Sequence, residues 1–64
     1  MASNRKGQKL NEIFGYSFLQ NSAWVFMYNE VIYFISDYAF GNLLKHTNNN
    51  ETLKIEILDR AKTL

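Results

Sequence analysis

The feature that most constrains this chain is the run AWVFMYNEVIYFISDYAF at residues 23–40, which holds Trp24, Phe26, Tyr28, Tyr33, Phe34, Tyr38 and Phe40 in a chain of 64 residues. Ring surface at that density has to be covered by lipid or by the rest of the protein. A bilayer span needs about 20 largely apolar residues in succession, and Asn29, Glu30 and Asp37 interrupt the run. Ionisable groups inside a span are costly. The run therefore reads as the core of a water-soluble domain with no membrane partner.

Composition favours strands over a helix for this run. WVFMY and VIYFIS are rich in the β-branched and aromatic residues that suit a pleated, half-buried surface, and Asn29-Glu30 between them predicts a tight hairpin turn. Asn-Glu is a poorer turn pair than Asn-Gly. A helix puts Trp24, Met27, Val31, Phe34 and Tyr38 on one face but Phe26, Tyr33 and Phe40 on another, so it has to be buried nearly all round. The hairpin is preferred for residues 24–35, and the helix stays open.

On either side the periodicity changes. Leu10, Ile13, Phe14 and Phe18 form one stripe and predict a helix over residues 8–20, which Gly15 weakens without ending. HTNNNET reads as a loop. TLKIEIL alternates Leu53, Ile55 and Ile57 with Lys54 and Glu56, the pattern of a half-buried strand. A helix capped by Asn50, with Leu53, Ile57, Ala61 and Leu64 on one face, is the second reading for residues 51–64.

The chain is long enough for one domain, and a chain this short buries a smaller share of its surface than a larger one. It has no cysteine and one histidine, so neither disulfides nor a zinc set can support it. Association is the remaining support, and a homo-oligomer is expected. The net charge is only +1, but residues 1–10 carry Arg5, Lys6 and Lys9 with no acid. Residues 1–7 therefore read as a flexible basic arm, and Arg5 and Lys6 are the candidates for phosphate contact. MASNRKGQKL has charge with no apolar stretch behind it, so a cytoplasmic protein is expected.

Catalytic chemistry is sparse. His46 lies between Lys45 and an Asn-rich loop with no nucleophile nearby in sequence, and reads as a surface residue. Asp37 reads as a turn or cap residue. Gly7, Gly15 and Gly41 are too scattered for a phosphate loop. No enzyme activity, metal or cofactor is expected.

Several stretches resemble the bacterial Sm-like RNA chaperone family Hfq. KGQKLNEIF resembles the start of that family's helix, and VFMYNE is similar to its first strand and turn, with Glu30 where the family has Gly. DYAFGNLLKHT resembles the stretch in which an Asp precedes an aromatic residue and a Leu-Leu-Lys strand, and LDRAKT echoes the family's last residues. The likeness covers most of the chain. It implies a mainly β fold with an N-terminal α-helix over residues 8–64, a small bent five-stranded antiparallel sheet, as against a small all-α bundle. It also implies a ring, most often a hexamer, that binds single-stranded RNA, uridine-rich on the helix-bearing face and adenine-rich on the other. By position, Asn11 is then the amide at the helix face, Phe40 the stacking ring and Arg60 a polar clamp, with Phe26 and Asn29 on the opposite face.

The competing expectation is a protein-binding module, such as a small phage-type inhibitor that lays its aromatic hairpin on a host protein. Trp24, Met27, Tyr28 and Tyr33 are its anchors, because interface cores favour these residue types.

Overall fold

The computed structural model describes residues 5–64. The elements run α1 (Arg5–Phe14), β1 (Ser17–Gln20), β2 (Ala23–Tyr28), β3 (Val31–Ser36), α2 (Asp37–His46), α3 (Asn50–Arg60) and β4 (Lys62–Thr63). The strands form one antiparallel sheet in the order β1-β2-β3-β4.

The hairpin forms where the sequence predicts it. Trp24 pairs with Ile35, Phe26 with Tyr33 and Tyr28 with Val31. Asn29 and Glu30 make the turn with φ of 55° and 66°, and Asn21 and Ser22, at 52° and 65°, make the turn between β1 and β2. Two central residues at positive φ identify the turn class whose twist matches that of the flanking strands.

Three expectations are corrected. The helix predicted over residues 8–20 starts at Arg5 and stops at Phe14, because Gly15 at φ 100° ends it, its N–H donating to the Asn11 carbonyl at 2.9 Å. Phe18 is thereby freed from the helical stripe and sits in β1, paired with Val25. Of the arm expected at residues 1–7, Arg5 to Gly7 are the first turn of α1, and residues 1–4 lie outside the described residues.

The second correction concerns Asp37 to His46. The resemblance implies a Leu-Leu-Lys strand here, yet the segment is α2. Ser36 caps it by accepting the Ala39 N–H at 3.0 Å, and Asp37 in the first turn with Lys45 and His46 in the last suit the helix dipole. The third correction concerns residues 51–64, where a strand is preferred from the sequence and a helix, α3, is found. Asn49, one residue before the expected cap, accepts the Thr52 N–H at 2.9 Å. Only Lys62 and Thr63 pair as a strand, against Phe34 and Tyr33. Among the described residues the sheet therefore has four strands and not five, and with three helices the fold is mixed α/β, neither mainly β nor all-α.

All three helices cover one face of the sheet. The core they close consists of Leu10 from α1, Trp24, Phe26 and Ile35 from the sheet, Phe40 and Leu43 from α2, and Leu53 and Ile57 from α3. Leu53 and Ile57 are four apart and wholly buried, while Ile55 between them is 67% exposed. That contrast is what a helix imposes and a strand forbids. Among the described residues no helix is long and apolar enough to cross a membrane.

Candidate protein interface

Strand geometry decides which side chains face away from the helices. Successive residues point to opposite faces, so with Trp24, Phe26 and Ile35 turned inward, Phe18, Val25, Met27, Ile32 and Phe34 turn outward. The register sets Phe18, Val25, Phe34 and Lys62 in one row across the four strands and Met27 beside Ile32 in the next. Leu64, just past β4, donates its N–H to the Ile32 carbonyl at 3.0 Å.

This outward face is apolar and open. Phe18, Met27 and Ile32 are 42 to 53% exposed, Leu64 is 79% exposed, and Val25 and Phe34 are half-buried. An open groove of about 440 Å³ lies against Tyr16, Phe18, Val25, Met27 and Ile32, among others. A second of about 350 Å³ lies against Val25, Phe34 and Leu64 with the small and polar Ala23, Gln20 and Asn21. Among the described residues, Lys62 is the one charged residue at an outward strand position. Scattered exposed apolar residues are ordinary on a soluble protein, whereas a contiguous patch marks a surface that meets something.

The polar groups singled out from the sequence are mostly engaged within the fold. Asp37 accepts from the Trp24 indole N–H at 2.8 Å and from Lys6 Nζ at 3.0 Å, through the same carboxylate oxygen. These contacts, the indole foremost, hold its carboxyl below the usual carboxylate range. They tie α1, β2 and the start of α2 together. Asn11, the expected RNA amide, is exposed and accepts from the Ser17 hydroxyl at 2.8 Å, fixing α1 against β1. Arg60 stands at the exposed end of α3, 3.8 Å from Glu56. Arg5 is exposed on the first turn of α1, and Asn29 is exposed in the hairpin turn.

The two rings expected to meet RNA, Phe40 as the stacking ring and Phe26 on the opposite face, are core residues. Phe40 has no exposed surface and meets Trp24 edge-on at 6.4 Å; Phe26 is 2% exposed and lies between Phe14 at 4.3 Å and Tyr33 at 5.6 Å. Neither ring can reach a base in this fold. The exposed rings are Tyr16, Phe18 and Tyr38.

Of the four protein-binding anchors, only Met27 lies on the outward face. Trp24 is buried, Tyr33 is half-buried on the helix side, and Tyr28 is covered by Lys54, whose Nζ sits 5.0 Å from the ring centre. The outward residues Phe18, Val25, Ile32, Phe34 and Leu64 are absent from the sequence-derived set. A signal for most of them was present, because β2 and β3 are apolar at both parities, and a strand covered on one side alternates with polar residues.

No protein-family model, curated protein or solved structure matches this chain.

Proposed function

We propose that the chain is a protein-interaction module whose working surface is the outward face of the sheet. The observation that carries this reading is the six-residue apolar patch of Phe18, Val25, Met27, Ile32, Phe34 and Leu64, opposite a helix-covered core. Four of the six, Val25, Met27, Ile32 and Leu64, are aliphatic; such side chains gain from excluding water against another apolar surface, and they neither stack on bases nor neutralise phosphate. A four-stranded RNA-binding sheet uses aromatic platforms beside several cationic side chains; this face has the rings of Phe18 and Phe34, and among the described residues Lys62 is its one charged strand residue. The RNA-chaperone reading loses its stacking ring Phe40, and Phe26, to the core and keeps Arg5, Asn11, Asn29 and Arg60 as exposed groups.

The test joins two measurements. Wild-type protein, diluted until light scattering shows single chains so that the face is free, is expected to bind an apolar fluorescent dye, and Met27→Glu with Ile32→Lys is expected to lose that binding with little change in melting temperature at the same dilution, since a working surface is not a core. Short oligo-U and oligo-A are expected to show no retention in an electrophoretic shift at low salt, where phosphate attraction is strongest. Retention of either oligonucleotide that disappears in an Arg5→Ala, Arg60→Ala variant would return the assignment to single-stranded RNA.

A further inference from the structure

We infer that the partner on this face is a second copy of the same chain, packed sheet to sheet about a two-fold axis; this rests on the interaction-module reading and names its occupant. Three observations point to a copy rather than a foreign protein. First, an interface that selects a foreign partner uses charges and hydrogen-bonding groups to fix register and reject competitors. The row Phe18, Val25, Phe34 and the pair Met27, Ile32 carry none; the polar outward residues stand at the margins, Gln20 and Ser36 beside Ala23 at one end, with Ser36 engaged in capping α2, and Lys62 at the β4 edge where its ammonium can stay in water. An uncharged apolar face is complementary to itself, which a two-fold interface requires.

Second, the area fits. The four exposed side chains leave roughly 100 Å² each to water and the half-buried Val25 and Phe34 roughly half that, so the six residues present about 500 Å² per copy, and the residues at their rim bring this toward the roughly 800 Å² per partner of a standard interface. The whole chain exposes 4493 Å². Third, the alternative route to association is poor. The free sheet edges are β1, of four residues, and β4, of two, and edges so short offer few backbone hydrogen bonds to a neighbour. Face-to-face packing places the two sheets about 10 Å apart, their strands within about 30° of alignment, with helices outermost on both sides. Each sheet is then covered on both faces, which is what apolar residues at both parities of β2 and β3 require.

Light scattering on the full chain at tens of micromolar is expected to give twice 7.5 kDa. Met27→Glu with Ile32→Glu is expected to give the monomer mass with unchanged far-UV circular dichroism. Ile55→Glu, which alters an exposed apolar residue on α3, is expected to remain dimeric. Because a doubly charged sheet could fail to fold, the cysteine-free chain offers a milder probe. The Met27→Cys variant is expected to form covalent dimers with a short bismaleimide, and the Ile55→Cys variant is not. A monomeric wild type at about 100 μM, an Ile55→Glu variant that alone dissociates, or crosslinking of the Ile55→Cys variant without crosslinking of the Met27→Cys variant would each overturn the inference. A monomer that still binds the apolar dye at this face would remove the second copy while leaving the interaction surface intact, so the two readings fail separately.

Discussion

Glu30 is the residue most at odds with its backbone. It holds φ at 66° in the β2–β3 turn, a region in which a side chain with a Cβ is strained by about 1 to 2 kcal/mol. Glu30→Gly creates the Asn-Gly pair that this turn prefers, and after the greater chain entropy of Gly is offset it should stabilise the protein by about 0.5 to 1 kcal/mol in denaturant melts. Asp37 is the opposite case, a residue held in place by its partners. Asp37→Ala leaves the indole N–H of Trp24 without its acceptor and should cost about 1 to 3 kcal/mol. The carboxyl titrates below its unfolded value of about 3.9. Its contribution is therefore complete above that pH and disappears as pH falls through the lower folded value. Acid melts of Asp37→Asn should accordingly show a flatter loss of stability below about pH 4 than the wild type. From the sequence Asp37 reads as a turn or cap residue, but Ser36 takes the cap and Asp37 opens α2. Its hold on Trp24 and Lys6, 13 and 31 positions away, was not legible there, because nothing local in the chain encodes those separations.

At the scale of elements, α3 is the segment whose local pattern and final structure part most clearly. Leu53, Ile55 and Ile57 satisfy a strand period, but Leu53 and Ile57 also satisfy the i, i+4 spacing of a helix, so the pattern alone supports both. Capping by Asn49 and burial beside Leu10 and Phe40 decide for the helix. Substitution separates the two readings sharply. Ile57→Ala should cost about 2 to 5 kcal/mol, whereas Ile55→Ala, on the exposed face of α3, should stay within about 0.5 kcal/mol. Equal losses at both positions would restore the strand. Asn49→Ala should cost about 1 kcal/mol through the lost cap. The β2–β3 segment needs arbitration too, since the sequence prefers a hairpin for residues 24–35 but leaves a helix open; the pairing of Trp24 with Ile35 and Phe26 with Tyr33 decides for strands.

For the whole molecule, the dominant fact is a single layer of helices on a sheet that is apolar on both sides. Among the described residues eight hydrophobic side chains are buried, and Phe18, Met27, Ile32 and Leu64 remain in water on the far face. If that face closes on a second copy, folding and association are linked, and the melting temperature must rise with protein concentration. A hundredfold concentration series followed by circular dichroism should show this rise in the wild type and none in the Met27→Glu, Ile32→Glu variant. A melting temperature independent of concentration in both would place the whole stability within one chain.

The sequence by itself determined the features that rest on local chemistry: the helical stripe from Leu10 to Phe14, the preference for a hairpin around Asn29 and Glu30, and the interruption of the aromatic run by charged and polar residues. The tertiary structure alone decided the features that depend on distant neighbours. It made Phe40 a core ring against Trp24, turned the last apolar segment into α3, and ended the sheet at four strands. It also left the outward residues of β1, β2 and β3 uncovered. The physical reason is common to all four. A residue's type limits what it can touch, but its period can fit two elements and its ring can serve a core or a surface, and only the packing of the other elements selects between them.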